Sequence, residues 1–179
     1  MTVKQEFYFV RHGQTDHNIS EGNLKGDHAA DIALNETGKN QAKNIEPTIA
    51  SLPIRTVCSS PMRRAQETKE IITAKLQATH YEVEHLGECS SLVWKEMSKA
   101  GMYASFPLEG PARLFLERVQ EGINRALSLP GPLLVVAHGG VHWVLCALLG
   151  IKNHKWAIGN CDIVHFSVGN NEKWVARKL

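Results

Sequence analysis

The sequence of 179 residues lacks long apolar runs, and it lacks a strong excess of charge of either sign. No run approaches the roughly 20 apolar residues that a membrane-spanning helix requires, so we expect no membrane partner. The formal net charge is only +2, which gives no electrostatic reason to expect nucleic acid as a partner. The composition is that of an ordinary globular protein with enough apolar residues to build a core.

Cysteines paired at the spacing of metal or redox motifs are also absent. Cys58, Cys89, Cys146 and Cys161 are scattered along the chain, a distribution typical of reduced core thiols in a cytosolic protein. The apolar part of the first ten residues is too short for a secretory signal, so we expect a cytoplasmic location. The sequence has no internal repeat and no dividing linker, and we therefore expect a single domain over residues 1–179.

What the chain does contain is an alternation of strand and helix patterns. Strand patterns cover residues 7–10, 54–60, 81–86, 133–137, 162–168 and 173–179, and helix patterns cover residues 35–52, 60–78, 110–129 and 141–150. Asn35 is a good N-cap, and Pro47 is expected to kink or end the regular part of its helix. Ser60 is expected to cap the next helix, with Pro61 in its first position. The alternation predicts an α/β protein, a three-layer α/β/α sandwich with a mostly parallel central sheet.

Two of the apolar strands end in the same way, on a histidine followed by glycine. The first strand runs into Arg11-His12-Gly13, and the strand at 133–137 runs into His138-Gly139-Gly140. In doubly wound sheets the carboxyl ends of the strands form the edge where ligands bind. Glycine at this edge lets the backbone turn sharply and approach a ligand closely, so Gly139 is a candidate substrate-binding residue.

Cations and one carboxylate follow the other strands of the predicted sheet. The turn at Ser60 leads into Arg63 and Arg64, in a first helical turn whose free N–H groups and dipole attract anions. Glu88 follows the strand pattern at 81–86. The sequence therefore predicts a pocket with two imidazoles, at least two guanidinium groups and one carboxylate at its rim.

This set of side chains is suited to phosphoryl transfer. Arg11 and Arg64 offer planar, bidentate donors for phosphate oxygens. A neutral His12 can attack phosphorus to form a phosphohistidine, while His138 donates a hydrogen bond to the transferred group. Glu88 can protonate the leaving oxygen and later deprotonate water. No metal-binding motif is visible, and we expect a small phosphorylated substrate, no metal and no other cofactor.

Four motifs in register resemble the histidine phosphatase superfamily, also called phosphoglycerate-mutase-like. They are "FVRHGQTDHN", "SSPMRRAQET", the "LGE" that ends at Glu88, and "VVAHGG". The segments "DIALNETG" and "GNCDIVHF" are similar to further parts of that family, so that the resemblance covers nearly the whole chain. It implies His12 as the nucleophile, Arg11, Arg64 and His138 as phosphate-pocket residues, and Glu88 as the proton donor. It also implies that Gln14, Thr15 and Asn18 are neighbouring residues, with Asn18 turned toward the phosphate.

The chain departs from the family pattern after the acid. Many broad-specificity members have G-x-W-E-G there, whereas this sequence runs from Cys89 to Glu96 without it, and Gly110-Pro111-Ala112 replaces a G-E-S that would supply a pocket glutamate. Cofactor-dependent mutases of the family are longer, with extra segments that cover the site. The short segment between Glu88 and Pro111 therefore favours an open phosphatase over a mutase, which must exclude water.

Several alternatives stay open on the sequence alone. A phosphoglycerate mutase and a non-catalytic binder of phosphorylated ligands are the other functions weighed, although a binder needs no nucleophile and acid together. Roles are open, as solvated or structural residues or as pocket residues, for Arg63, His17, His142, Trp94, Tyr103 and Phe106. Glu96 and Glu109 are the other candidate acids if Glu88 is not the proton donor. The sequence indicates neither the physiological substrate nor the oligomeric state.

Overall fold

The computed structural model describes residues 5–19, 30–100, 109–151, 158–169 and 172–179. Within those residues the strands are β1 Phe7–Arg11, β2 Thr56–Ser59, β3 Thr79–Glu82, β4 Leu133–Ala137, β5 Ile163–Val168 and β6 Trp174–Lys178. The α-helices are α1 Asp16–Ile19, α2 Glu36–Ser51, α3 Arg63–Ile72, α4 Ser91–Ala100, α5 Gly110–Leu127 and α6 Gly139–Leu148. None of the helices in the described ranges has the length and apolar character needed to cross a bilayer. Tyr103 and Phe106 lie outside the described residues.

The six strands form one sheet with the order β3-β2-β4-β1-β5-β6. The pairs β2–β3, β2–β4 and β1–β4 are parallel, and β5 and β6 are added antiparallel at the other end. Since β1 and β4 are parallel neighbours, with Arg11 opposite Ala137, their carboxyl ends lie side by side. The predicted α/β fold with a mostly parallel sheet is thus confirmed, and the two predicted histidine-bearing strand ends are adjacent.

The two faces of the sheet bury separate apolar cores, as alternation along the strands requires. Phe7 and Phe9 of β1 and Val135 of β4 pack with residues from α4, α5 and α6. Val10 and Val136 point to the opposite face and pack with residues from α2 and α3. Helices therefore cover both sides of the sheet, which gives the three predicted layers and leaves the strand ends for a site.

The start of α3 differs from the prediction. Ser60 is not the N-cap, because its backbone N–H donates to the carbonyl of Val136 and so still continues the sheet. Pro61 precedes the helix, and Met62, in an extended conformation, occupies the cap position. The helix also ends at Ile72 rather than near residue 78. Thr73 follows as the C-cap, and its hydroxyl donates to the carbonyl of Lys69. The hydroxyl of Ser60 is thereby available to the site.

Other local features also differ from what the sequence indicated. The segment predicted as a strand at 81–86 is divided between β3 and a 3₁₀ turn, Glu84–Leu86, so Glu88 follows this turn rather than a strand. The segment after Glu88, to which no helix pattern was assigned, contains α4, whose buried Val93 and Met97 show the i, i+4 spacing of a helix. Helix α2 continues through the exposed Pro47 to Ser51, with Ile49 buried beyond the proline, so the proline does not end the helix.

Candidate active site

His12 follows the last residue of β1 and is almost completely buried, with 3% of its surface exposed. Its Nδ1 lies 2.8 Å from the carbonyl oxygen of Gly13, and Arg64 Nε donates to its Nε2 at 3.2 Å. A carbonyl can only accept, so Nδ1 must carry a proton, and Nε2 of the neutral ring presents its lone pair. Burial, together with the positive charges of Arg64 and Arg11, lowers the pKa of His12 well below the ordinary 6.5. The ring is therefore a neutral base with a defined tautomer.

His138 stands beside His12 at the end of β4, in the N-cap position of α6. The two imidazole rings are 5.2 Å apart between centroids. His138 is fully buried, and its Nε2 lies 2.7 Å from Ser60 Oγ. Burial is the main cause that lowers the pKa of His138 well below 6.5, followed by the neighbouring His12 and the positive charge of Arg64. Both histidines at this edge are thus neutral near pH 7.

Arg64 reaches the site from the first turn of α3 and is 4% exposed. Besides its bond to His12, it donates through Nη1 to the carbonyl of Ala30 at 2.7 Å. Burial lowers the pKa of Arg64, while the carboxylates of Glu88 and Asp31 act in the opposite direction. The Glu88 charge is therefore within electrostatic reach of the guanidinium group that contacts His12.

Arg11 is the last residue of β1 and is half-buried. Its Nη1 donates to the carbonyl of Ile158 at 2.7 Å, and its own carbonyl accepts the N–H of Cys161 at 3.0 Å. These bonds hold the arginine against the segment that precedes β5. Its charge also contributes to the lowered pKa of His12 and His138. The two predicted guanidinium groups thus approach the histidines from different elements.

Asn18 belongs to a hydrogen-bonded group that includes a residue missed in the sequence. Its Oδ1 accepts from the N–H of Thr15 at 3.0 Å and from Nδ2 of Asn160 at 3.3 Å. Asn160 also donates to the carbonyl oxygen of His12 at 3.0 Å. The signal for Asn160 was its place in the "GNCDIVHF" segment, but nothing in the local sequence indicates that it contacts His12.

Glu88 lies against the N-terminal end of α6. Its Oε2 accepts the N–H of Gly140 at 3.1 Å, and its Oε1 accepts the N–H of Cys89 at 2.9 Å. A Cβ atom at Gly140 would collide with the carboxylate, so a larger residue there would displace the side chain of Glu88. A Cβ atom at Gly139 would meet the ring of Trp94 at 3.5 Å and Arg11 Nε at 3.8 Å, so Gly139 lies between these side chains.

Arg118 on α5 holds the segment that carries Glu88 and was not singled out from the sequence. Its Nη2 donates to the carbonyl of Gly87 at 2.8 Å and to that of Glu88 at 3.3 Å, and its Nη1 donates to that of His85 at 3.3 Å. The same guanidinium group lies 5.0 Å from the ring centre of Phe115. A single arginine thus binds three carbonyl groups of the short segment that ends at the candidate acid, a role that no local motif reveals.

The loop after His12 is fixed against α2 and α3. A Cβ atom at Gly13 would lie 2.6 Å from the carbonyl oxygen of Gly38, so the two backbones touch. The Gly13 N–H donates to Thr68 Oγ1 at 2.9 Å, and Asn35 Oδ1 accepts the N–H of Gly38 at 2.9 Å as the predicted N-cap. The "LNETG" segment therefore supports the loop that carries His12.

The residues with open roles separate clearly. Arg63 is a surface residue, paired with Glu67 at 2.8 Å and with 63% of its side chain exposed. His142 is fully buried on α6 and packs on Phe9, with ring centroids 5.5 Å apart, so it is a core histidine. His17 is half-buried on α1, next to Asn18. Trp94 and Glu96 both lie on α4, and the Oε2 atom of Glu96 is buried. Glu109 is exposed and precedes α5.

Comparison of the sequence with known proteins identifies the family of the chain. The family model described as "Histidine phosphatase superfamily (branch 1)" matches residues 7–114, which include His12, Arg64 and Glu88. The chain belongs to the histidine phosphatase superfamily. The resemblance inferred from the four motifs is thereby confirmed. His138 lies outside the matched residues, and its place beside His12 follows from the pairing of β1 with β4.

The relatives of this histidine phosphatase superfamily member include proteins with different names. The chain is similar to an "Agropine synthesis reductase" of Rhizobium rhizogenes, with 32% identity over 92% of this chain, but it spans only 40% of that relative's length. It is also similar to an "Uncharacterized phosphatase PhoE" of Bacillus subtilis, with 28% identity over 79% of this chain and 76% of the relative. Among solved structures, a putative alpha-ribazole-5'-P phosphatase from Escherichia coli shares the fold, with a TM-score of 0.73, 21% identity, and coverage of 98% of this chain and 96% of the other.

A metal centre of protein side chains is not visible at the site. In the described ranges, no group of three or more His, Cys, Asp or Glu residues is arranged to hold a metal ion. The positive charge near His12 comes instead from Arg11 and Arg64. The arrangement can bind an anion, supply a nucleophilic nitrogen, and place one carboxylate within electrostatic reach of the cations.

Proposed function

We propose that the protein is a phosphomonoester phosphatase that works through a phosphohistidine intermediate on His12. The observation that carries this proposal is the state of the His12 ring, whose Nδ1 donates to the Gly13 carbonyl while Nε2 presents a lone pair beside Arg64. A buried, neutral imidazole whose unprotonated nitrogen accepts from a guanidinium group is suited to attack a phosphorus atom, because the phosphate oxygens can replace that nitrogen as the acceptor and bind the same cation.

In the first step, Nε2 of His12 forms a bond to phosphorus as the bond from phosphorus to the leaving oxygen breaks. The ring becomes positively charged, and the Nδ1–H bond to the Gly13 carbonyl, 2.8 Å long in the structure, becomes a charge-assisted one. Arg11, Arg64 and His138 bind the phosphoryl oxygens, with Asn18 and the backbone at Gly139 as further substrate-binding groups. Glu88 in its protonated form gives its proton to the leaving oxygen, which departs as an alcohol.

In the second step, water attacks phosphorus and the bond to Nε2 breaks, which restores the neutral ring. Glu88, now ionised, takes a proton from the attacking water, and inorganic phosphate leaves. The carboxylate is supported for this role by its two backbone partners, the N–H groups of Cys89 and Gly140, which hold it at the end of α6. The substrate class is a small phosphomonoester, and the arginines supply the charge that a metal supplies in other phosphoryl-transfer sites.

The experiment that tests the proposal combines turnover with trapping of the intermediate. Phosphate release is measured over a panel of phosphomonoesters, with and without chelating agents. The protein is then mixed briefly with a labelled substrate and quenched in alkali, where phosphohistidine survives. We expect label on a peptide that contains His12, and no label in His12→Ala. Normal turnover by His12→Ala, or a strict requirement for added metal, would overturn the proposal.

A further inference from the structure

Ser60 forms a buried pair with His138, and the proposed reaction gives Ser60 no role. Ser60 Oγ lies 2.7 Å from His138 Nε2, and both residues are 0% exposed. The same oxygen accepts the N–H of Met62 at 3.2 Å. His138 Nδ1 is buried and has no hydrogen-bond partner among the residues that the structure describes. A buried polar atom of this kind calls for a physical explanation.

The two neutral tautomers of His138 leave different numbers of buried polar groups without a hydrogen bond. If the proton were on Nε2, it would donate to Ser60, and both the serine hydroxyl hydrogen and the Nδ1 lone pair would lack a partner in the described part of the chain. If the proton is on Nδ1, the serine hydroxyl donates to Nε2, and only the Nδ1–H group remains to be satisfied. The second tautomer leaves fewer buried groups unmatched, so it is the favoured one.

We propose that Ser60 is a positioning residue that holds His138 in its Nδ1–H tautomer, so that Nδ1 donates a hydrogen bond to an oxygen of a bound phosphate or phosphoryl group. The inference rests on the proposed function for the identity of that acceptor, whereas the tautomer itself does not depend on catalysis. An unprotonated phosphate oxygen can only accept and cannot satisfy a bare Nδ1 lone pair, so the tautomer decides whether His138 attracts or repels such an oxygen.

The surroundings of His138 support a neutral ring with a fixed tautomer. Burial, the neighbouring His12 and the positive charges of Arg64, Arg11 and Arg118 all lower the pKa of His138, so the ring does not gain a second proton that would make both nitrogens donors. Ser60 is itself held in place, since its N–H donates to the Val136 carbonyl in the sheet. Removing the hydroxyl therefore changes the partner of Nε2 without releasing the backbone.

Ser59 provides a matched control for this pair. It is the neighbouring buried serine, at 1% exposure, and its Oγ accepts from Gln66 Nε2 at 3.0 Å. Successive side chains of an extended strand point to opposite faces of the sheet, so Ser59 points away from the His138 ring that Ser60 contacts. Ser59→Ala thus removes an equally buried hydroxyl one residue away, while Ser60→Thr keeps the hydroxyl at the position under test.

The tautomer is measured directly by ¹⁵N NMR of the histidine ring nitrogens in the protein without substrate. We expect Nδ1–H in the wild-type protein, in Ser60→Thr and in Ser59→Ala, and a shift toward Nε2–H or a mixture in Ser60→Ala. Addition of inorganic phosphate should shift the His138 Nδ1–H resonance in the wild-type protein. Each of three results would overturn the inference. They are an Nε2–H tautomer in the wild-type protein, an unchanged tautomer in folded Ser60→Ala, and a His138 Nδ1–H resonance that does not shift when phosphate is added.

The kinetic arm uses whichever phosphomonoester the protein hydrolyses. Ser60→Ala should lower kcat/KM by about 10-fold to 10²-fold, less than complete loss of a transition-state donor, because a minor population keeps the correct tautomer. Ser60→Thr should recover most of this loss, and Ser59→Ala should show almost none. Equal losses in the two alanine variants would mean that Ser60 acts only through packing. If the protein hydrolyses no phosphomonoester, the proposed function fails, whereas the NMR result with inorganic phosphate still decides the role of Ser60.

Discussion

Arg64 Nε lies 3.2 Å from Nε2 of His12, which joins the first turn of α3 to the end of β1. The contact places a permanent cation on the nitrogen that carries the lone pair. It contributes to the low pKa of His12, after burial, and it aligns the guanidinium group with the position that a phosphoryl group would occupy on attack. One arginine can therefore keep His12 neutral and, in the proposed reaction, bind the group to be transferred.

Replacement of Arg64 by lysine tests whether the geometry of the guanidinium group matters beyond its charge. A lysine keeps the positive charge but cannot contact His12 Nε2 and the Ala30 carbonyl with a rigid fork. We expect Arg64→Lys to lower kcat/KM by about 10²-fold to 10³-fold, the range for loss of one well-placed donor. Arg63→Lys, one residue away and exposed, is the control and should have almost no effect. Similar losses in both variants would contradict the assignment.

The pH dependence of stability follows from the lowered pKa of His12 and His138. As pH falls below the ordinary value of 6.5, the unfolded chain binds protons at these histidines before the folded protein does. The free energy of unfolding should therefore decrease as pH falls from 6.5 toward the lowered folded pKa, by at most about 1.4 kcal/mol per pH unit for each histidine.

Urea unfolding at about pH 7 and at about pH 5 measures this dependence. His12→Gln and His138→Gln each remove one titrating group, so each variant should lose less stability than the wild-type protein between the two conditions. The comparison uses the pH-dependent difference alone, because the substitution also changes stability by an amount that does not vary with pH. A difference as large in both variants as in the wild-type protein would show that these histidines titrate normally.

Much of the fold and the centre of the site could be predicted from the sequence because their signals are local. The apolar strands before His12 and His138, and the placement of ligands at the carboxyl ends of parallel strands, were enough to expect both histidines at one edge. The order of the strands was not accessible in this way, since pairing of β1 with β4 joins segments that are more than a hundred residues apart. The predicted start of α3 was wrong because Ser60 bonds to a distant residue, His138, and this contact outweighs the local preference of serine for the N-cap.

The residues that the sequence did not reveal act across long separations. Asn160 contacts the backbone of His12, and Arg118 contacts the backbone around Glu88. Neither contact has a local pattern, because a side chain that binds a carbonyl oxygen of another element does not require any particular neighbour in sequence. Helix α4 was missed for a different reason, since the segment after Glu88 was compared with a family pattern that it does not follow.

Glu88→Gln tests whether this carboxylate is the proton donor. We expect a loss of about 10²-fold to 10⁴-fold in turnover of alkyl phosphates, the usual span for a positioned acid. An aryl phosphate such as p-nitrophenyl phosphate should lose far less in its first step, because its leaving group departs as a stabilised anion. Glutamine also replaces one oxygen that accepts a backbone N–H, so thermal unfolding must show that the variant is folded.

Glu96→Gln and Glu109→Gln serve as comparisons for the same assay. Glu96 lies on α4 and Glu109 is exposed before α5, so neither should discriminate between alkyl and aryl substrates. A small and equal loss on both substrate types for Glu88→Gln would assign the proton transfer to another group. A selective loss in Glu96→Gln or Glu109→Gln would identify that group.

Arg118 is expected to act on catalysis through the position of Glu88. Its guanidinium group donates to the carbonyls of Gly87 and Glu88, so Arg118→Leu would release the backbone that carries the acid. A shift of about 1 Å in a catalytic group can cost about 10²-fold in rate, and we expect a loss of this size on alkyl phosphates. The loss should be smaller on aryl phosphates, the pattern of Glu88→Gln, because the defect lies in proton donation.

Arg113→Leu on the same helix controls for loss of an arginine and its charge. Arg113 pairs with Glu117 at 2.8 Å, but both side chains are largely exposed, at 65% and 49%, and such surface pairs contribute little to stability. We expect wild-type kinetics for Arg113→Leu on both substrate types. If Arg118→Leu lowers turnover equally for alkyl and aryl phosphates, the arginine affects the site as a whole and not the acid, since a displaced proton donor must matter most where the leaving group needs a proton.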